Sequence, residues 1–124
     1  MSLGIGIDIL STHSIRESLQ TSGENFLKKS FTDWEISRAK EDPIPVAYYS
    51  KIFSAKEAIF NLFEAETGSG VLLTEIEIRD GKFGEPVPHL TGKIRRIMNA
   101  RGGRQILLNI SCENDYAVAV AILE

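Results

Sequence analysis

Apolar residues alternate with glycine and a single acid at the start of the chain, in GIGIDIL (Gly4 to Leu10). On a period of two, Ile5, Ile7 and Ile9 share one face of a strand, while Gly4, Gly6 and Asp8 share the other. That second face is two bare backbones followed by a carboxylate, so another group can approach closely and meet a negative charge. The run otherwise reads as buried. The plain reading of Asp8 is a strand-end acid that caps the following helix, with Ser11 and Thr12 beside it.

Helical spacing follows. Thr12 to Gln20 predicts a short helix with Ile15 and Leu19 on one face, Thr21-Ser22-Gly23 breaks it, and Glu24 to Ser30 adds another turn or two. In FTDWEISRAK, Thr32 as N-cap and Glu35 three residues on form a capping box. Asp42-Pro43-Ile44-Pro45 ends that helix. The longest and most apolar helix is expected from Val46 to Glu64, with Tyr49, Ile52, Phe53, Ile59, Phe60 and Phe63 in one stripe. Lys56 falls in the middle of the stripe and Glu57 at its margin. Charges facing a buried side are costly unless they are paired, solvated by a cleft or bound to a ligand. A lysine there can also snorkel outward along its stem.

AETGSG reads as a flexible connection. LLTEIEIR alternates as a strand with Ile76 and Ile78 inward, and Asp80-Gly81 signals a hairpin into KFGEPVPHL. Thr91 is placed to cap a helix carrying Ile94, Ile97 and Met98, closed by Gly102-Gly103. RQILLNIS and YAVAVAILE are the last strands, joined by CEND. Grouped helices flanked by antiparallel strands predict an α+β fold, a single compact domain over residues 1–124 with the strands packed against a long central helix.

Bulk properties narrow the function classes. The 124 residues suit one domain, and 43% hydrophobic with 25% charged residues is ordinary for a globular protein. A net charge of −3 argues against a general nucleic-acid binder. The lone cysteine, Cys112, excludes an internal disulfide and fits a reducing compartment. Its acidic neighbours Glu113 and Asp115 are not the electropositive setting that a nucleophilic thiol needs. His13 and His89 lack metal-ligand spacing. The longest apolar run, Tyr116 to Leu123, is far below the roughly 20 residues of a membrane span. With the first strand starting almost at once, no signal peptide is expected and a cytoplasmic location is.

Taken in order, GIGIDIL, FTDWE, FSAKEAI, IEIRDGKFGEPVPHLTG and NDYAVAVAI resemble the 4′-phosphopantetheinyl transferases, most closely the short bacterial holo-[acyl-carrier-protein] synthases. The resemblance runs through nearly the whole chain and implies that family's fold. It implies that Asp8 and Glu57 bind magnesium, which takes one or two carboxylates and leaves positions for water and substrate phosphates. On this view the glycines of the first strand let a pyrophosphate approach, and Asp8 is a metal ligand rather than a cap. Coenzyme A would be the substrate, and the serine of an apo acyl or peptidyl carrier protein would attack the phosphorus nearer the pantetheine. Adenosine 3′,5′-bisphosphate would leave, with Glu57 or a metal-bound water taking the serine proton. Lys56 would face the phosphates as a point charge. Gly84 and Pro86 of GEP match the turn near the nucleotide, and Ser111 and Cys112 match the family's SxSH segment. Short members assemble as trimers with sites between subunits, so a homotrimer is expected, with neither nucleic acid nor membrane as partner.

Four positions depart from the family pattern. Asn61 stands where a second lysine is usual, Ile52 replaces the arginine before the helix phenylalanine, Ser14 replaces an arginine facing the carrier, and Cys112 replaces the histidine of SxSH. Arg16, Lys28 or Lys29 could substitute at the carrier face. The short GTG after the KEA helix is stretched to EAETGSG. Each cationic hydrogen bond lost to a phosphate costs on the order of 1.5–3 kcal/mol, and two would weaken coenzyme A binding roughly a hundredfold or more. The alternatives are a catalytically degenerate scaffold subunit that keeps the fold, and a metal-dependent hydrolase of coenzyme A or a similar nucleotide.

Overall fold

Ile5, Ile7 and Ile9 turn outward in the computed structural model, which describes residues 3–63 and 70–124. The elements run β1 (Gly4–Ser11), α1 (Thr12–Thr21), α2 (Gly23–Ser30), α3 (Asp33–Ala39), α4 (Pro45–Leu62), a 3-10 turn (Leu73–Glu75), β2 (Ile76–Asp80), β3 (Pro86–Leu90), α5 (Gly92–Ala100), β4 (Ile106–Glu113) and β5 (Tyr116–Leu123). Two antiparallel sheets result, one ordered β1-β5-β4 and the other the β2-β3 hairpin. The larger sheet lies against α4, which is the α+β arrangement the patterning predicts. No helix among the described residues is long and apolar enough to cross a membrane.

Small side chains decide which face of β1 is buried. Register places Gly4 beside Leu123, Gly6 beside Ala121 and Asp8 beside Ala119, with Ile106, Leu108 and Ile110 completing the same rows from β4. Ala117, Ala119 and Ala121 are essentially inaccessible. A surface of glycine and alanine lets the helix axis come close. A Cβ on Gly6 would overlap the carbonyl oxygen of Ala58 and stand 2.9 Å from the nitrogen of Leu62. What approaches the bare backbone of β1 is therefore α4. This corrects two expectations: the isoleucine face is the exposed one, at 62–68%, and the space over Gly6 is closed to a pyrophosphate.

Lys56 is neither snorkelled outward nor solvated; its side chain is wholly buried. Its ammonium donates to Glu35 Oε1 at 2.6 Å, Ser30 O at 2.8 Å and Leu73 O at 3.2 Å, which uses all three N–H bonds. Glu35, also inaccessible, accepts from the Thr32 backbone nitrogen through Oε1 and from the Ile78 nitrogen through Oε2. The Thr32–Glu35 capping box is present, and its glutamate doubles as the anion for Lys56. Burial works to neutralise both groups, raising the Glu35 carboxyl and lowering the Lys56 ammonium, and the opposite charge of each partner resists this.

Other boundaries shift for local reasons. Asp8 caps nothing; Ser11 accepts from the His13 nitrogen at the start of α1. The strand expected from Leu72 begins only at Ile76, because Leu73–Glu75 forms a 3-10 turn. The Thr91 hydroxyl donates to the Glu75 carbonyl instead of capping α5, and the Glu75 carboxylate supplies the cap by accepting from the Ile94 nitrogen at 3.1 Å. Gly102 closes that helix with a positive φ of 81°. The connection at residues 65–69 and the expected end of the long helix at Glu64 lie outside the described residues.

Two substitutions test this core. Lys56→Met leaves Glu35 buried without its cation and should lower unfolding stability by about 3–5 kcal/mol. Gly6→Ala should cost about 1–3 kcal/mol by forcing α4 off β1. Urea midpoints of both variants check these values, and a wild-type midpoint for either would contradict the packing described.

Candidate active site at the β1–α4 seam

Two turns of α4 face β1 with polar groups. Ser54 donates to Asp8 Oδ2 at 3.0 Å, and the Asn61 amide nitrogen donates to the Ile7 carbonyl at 2.8 Å. Ser54, Ala58 and Asn61 are spaced to share the helix face that meets the strand. Glu57 sits beside them, half-buried at the edge of the seam. Asp8 and Glu57 are close enough for one charge to act on the other: burial first, then the negative charge of Asp8, pushes the Glu57 carboxyl up from its ordinary value. Burial also raises Asp8, and the Ser54 hydroxyl partly offsets it.

Two partly desolvated carboxylates that repel each other are chemically suited to a hard divalent cation, which removes the repulsion and accepts oxygen donors. No group of three or more His, Cys, Asp or Glu side chains able to hold a metal occurs among the described residues. A magnesium ion held by Asp8 and Glu57 would thus keep most of its positions for water or substrate oxygens, so the donor set fits that ion. Lys56 is one residue from Glu57 in sequence, yet it points into the core and cannot face a phosphate at this seam without leaving Glu35.

The remaining predicted residues lie elsewhere. Gly84 and Pro86 line a cleft of about 230 Å³ with Tyr48, Lys51, Ile52 and Ile110. Because α4 lies along β1 and β5, this cleft is on its β4 flank, and Asp8 and Glu57 are on its β1 flank. One copy of the chain does not bring the two together. Arg38 also lines the cleft but is held by Asp80 at 2.7 Å and lies over the Tyr48 ring. Ser111 is on the outer face of β4 and exposed, while Cys112 points to the inner face beside Ala117. Ser54 was not singled out from the sequence. Its position three residues before Glu57 was the available signal.

The raised carboxyls give a pH-dependent prediction. A carboxyl raised in the folded state stabilises the fold fully only below its unfolded value, and that contribution is lost as pH rises through the folded value. At neutral pH the ionised pair therefore destabilises the metal-free protein. Asp8→Asn and Glu57→Gln should each raise the melting temperature at pH 7, with the gain fading as pH falls toward about 4. Saturating magnesium should narrow the gap by stabilising the wild type. A lower melting temperature for both variants at pH 7 would contradict the repulsion.

Residues 4–121 match the model of the 4′-phosphopantetheinyl transferase superfamily. The holo-[acyl-carrier-protein] synthase of Desulforudis audaxviator is 38% identical over 98% of this chain and 92% of its own length. The structure of the Plasmodium yoelii acyl carrier protein synthase with ADP bound has a TM-score of 0.86 at 31% identity, covering 99% of this chain and 95% of that one. A holo-(acyl-carrier-protein) synthase from Bacillus anthracis, in complex with CoA (3′,5′-ADP), has a TM-score of 0.78 at 28% identity, with 99% and 96% covered. With its acid-bearing strand seated on the KEA helix and a match along nearly its full length, the chain belongs to the 4′-phosphopantetheinyl transferase superfamily, among the holo-[acyl-carrier-protein] synthases.

Proposed function

We propose that this protein transfers 4′-phosphopantetheine from coenzyme A to a serine of an apo acyl carrier protein, with magnesium, releasing adenosine 3′,5′-bisphosphate. The observation that carries the reading is the Asp8–Glu57 pair at the β1–α4 seam. Bound there, magnesium would neutralise phosphate charge as the pyrophosphate bond breaks. Asp8 is oriented by the Ser54 hydroxyl, and Asn61 ties α4 to β1 so that the seam keeps its width. The serine oxygen forms the new bond to phosphorus and the oxygen of adenosine 3′,5′-bisphosphate departs. Glu57, or a water held with the metal, would accept the serine proton. The relatives with bound ADP or CoA support a nucleotide substrate, for which the Gly84–Pro86 cleft has the turn and the Lys51 cation.

A homotrimer is part of this reading. The outer face of the β1-β5-β4 sheet exposes Ile5, Ile7 and Ile9 with Leu107 and Tyr116. An apolar sheet face of this kind is characteristic of an interface. A neighbouring copy would bring its own cleft beside Asp8 and Glu57, joining the two halves that α4 separates within one chain. The scaffold alternative has one observation in its favour. Lys56 is consumed by Glu35, Asn61 bonds the backbone and Ile52 is apolar, so few cations remain for phosphates.

Intact-mass measurement of apo carrier protein, after incubation with the chain, coenzyme A and magnesium, tests the proposal. The carrier should gain one phosphopantetheine, and Asp8→Ala or Glu57→Ala should slow the gain by more than about a hundredfold. Folded protein that modifies no carrier would favour the scaffold.

A further inference from the structure

The cleft on the β4 flank of α4 is poor in available positive charge. Ile52, Ile78, Pro86 and Ile110 give it an apolar wall, which suits the base and sugar of a nucleotide. The charged side chains that line it are Arg38, Lys51, Asp42 and Asp80, so cations and anions balance. The Arg38 guanidinium is bonded to Asp80 at 2.7 Å and stands 3.8 Å from Asp42. Lys51 differs. Half-buried on α4, one residue before Ile52, its ammonium makes no ion pair or hydrogen bond among the described residues.

Coenzyme A places phosphate charge at two points. Its 5′-pyrophosphate adjoins the group to be transferred, and a 3′-phosphate on the ribose adjoins the base. In the transferase reading, the metal at Asp8 and Glu57 takes the first, and the cleft that receives the base is left with the second. The hairpin bearing Gly84 and Pro86 adds no cation to that lining. Lys82 lies over the exposed Phe83 ring, and the Glu85 carboxylate accepts from the Phe83 nitrogen inside the turn. The seam that a neighbouring copy would bring adds acids, with its Lys56 buried on Glu35 and its Asn61 amide bonded to Ile7 O. A lysine meets phosphate as a point charge on a flexible stem, without the fixed fork of an arginine. One such contact, reached by water, is worth about tenfold in affinity or less.

We propose that Lys51 is the residue that recognises the 3′-phosphate of coenzyme A, and that it does so without a second cation, so that the protein also accepts 3′-dephospho-coenzyme A. The proposal rests on the transferase reading. With the shorter donor the serine oxygen forms the same bond to phosphorus, and the bond to the departing oxygen of adenosine 5′-monophosphate breaks. The 3′-phosphate is remote from the reacting phosphorus, so its loss falls on KM and leaves kcat nearly unchanged.

The test measures transfer to apo acyl carrier protein by intact mass, with the full chain, magnesium, and either coenzyme A or 3′-dephospho-coenzyme A. The wild type should prefer coenzyme A in kcat/KM by about three- to tenfold. Lys51→Met should bring that preference to about one through KM, Lys51→Arg should keep it, and Lys82→Met should leave it at the wild-type value. Calorimetry with adenosine 3′,5′-bisphosphate and adenosine 5′-monophosphate, which differ only in the 3′-phosphate, should give the same pattern without turnover. A wild-type preference above about thirtyfold would overturn the proposal, as would one that survives in Lys51→Met. So would a loss in Lys51→Met that falls equally on both donors, a collapse in Lys82→Met, or binding of neither nucleotide. A Lys51-dependent difference between the two nucleotides without any mass gain would sustain the assignment and sink the transferase reading. Mass gain with a preference independent of Lys51 would do the reverse.

Discussion

The bond between Lys56 and Glu35 is the contact on which the rest of the structure hangs. A single ammonium and a single carboxylate, both cut off from water, bring together the end of α2 through Ser30, the start of α3 through Thr32, the middle of α4, the 3-10 turn through Leu73 and β2 through Ile78. These segments are thereby held in one arrangement. A buried pair adds little net stability over an apolar replacement, but it is intolerant of losing one partner. Its geometry also specifies direction in a way that packing alone does not, because each donor and acceptor is used.

The adjacent turn of α4 has the opposite character. Lys56 is fully satisfied, whereas Glu57, one residue on, faces Asp8 with like charge. That juxtaposition is possible because the Lys56 anchor and the Gly6–Ala58 contact hold the helix against β1 at close range. Two carboxylates can then be kept near each other at the expense of stability, as functional sites commonly are. The catalytic reading and the local destabilisation share one cause: a strand without side chains that lets a helix deliver its acid.

Much of this was legible from residue order. Period-two alternation, the Thr32–Glu35 capping box, the proline break before α4 and the Asp80-Gly81 hairpin depend on nearest neighbours along the chain, and they appear where the pattern places them. The candidate acids were also legible, since Asp8 and Glu57 stand out as charges within apolar runs. Their partners were not. The hydroxyl on Asp8 comes from Ser54, 46 residues away, and its spacing from Glu57 along the helix does not reveal that it meets Asp8. The same holds for Arg38, whose engagement by Asp80 spans 42 residues.

The sequence by itself determined the α+β class, the helix and strand order, and the family to which GIGIDIL and FSAKEAI belong, because backbone propensity and the recurrence of apolar residues are local properties. Only the tertiary structure decided which face of β1 is covered. Alternation states that isoleucine and glycine lie on opposite sides, but burial depends on what can fit, and α4 can approach only the side without Cβ atoms. It likewise decided that Lys56 is an internal anchor and not a phosphate ligand. A lysine in an apolar stripe is compatible with either, and the choice is made by a carboxylate 21 residues earlier whose arrival depends on the whole fold.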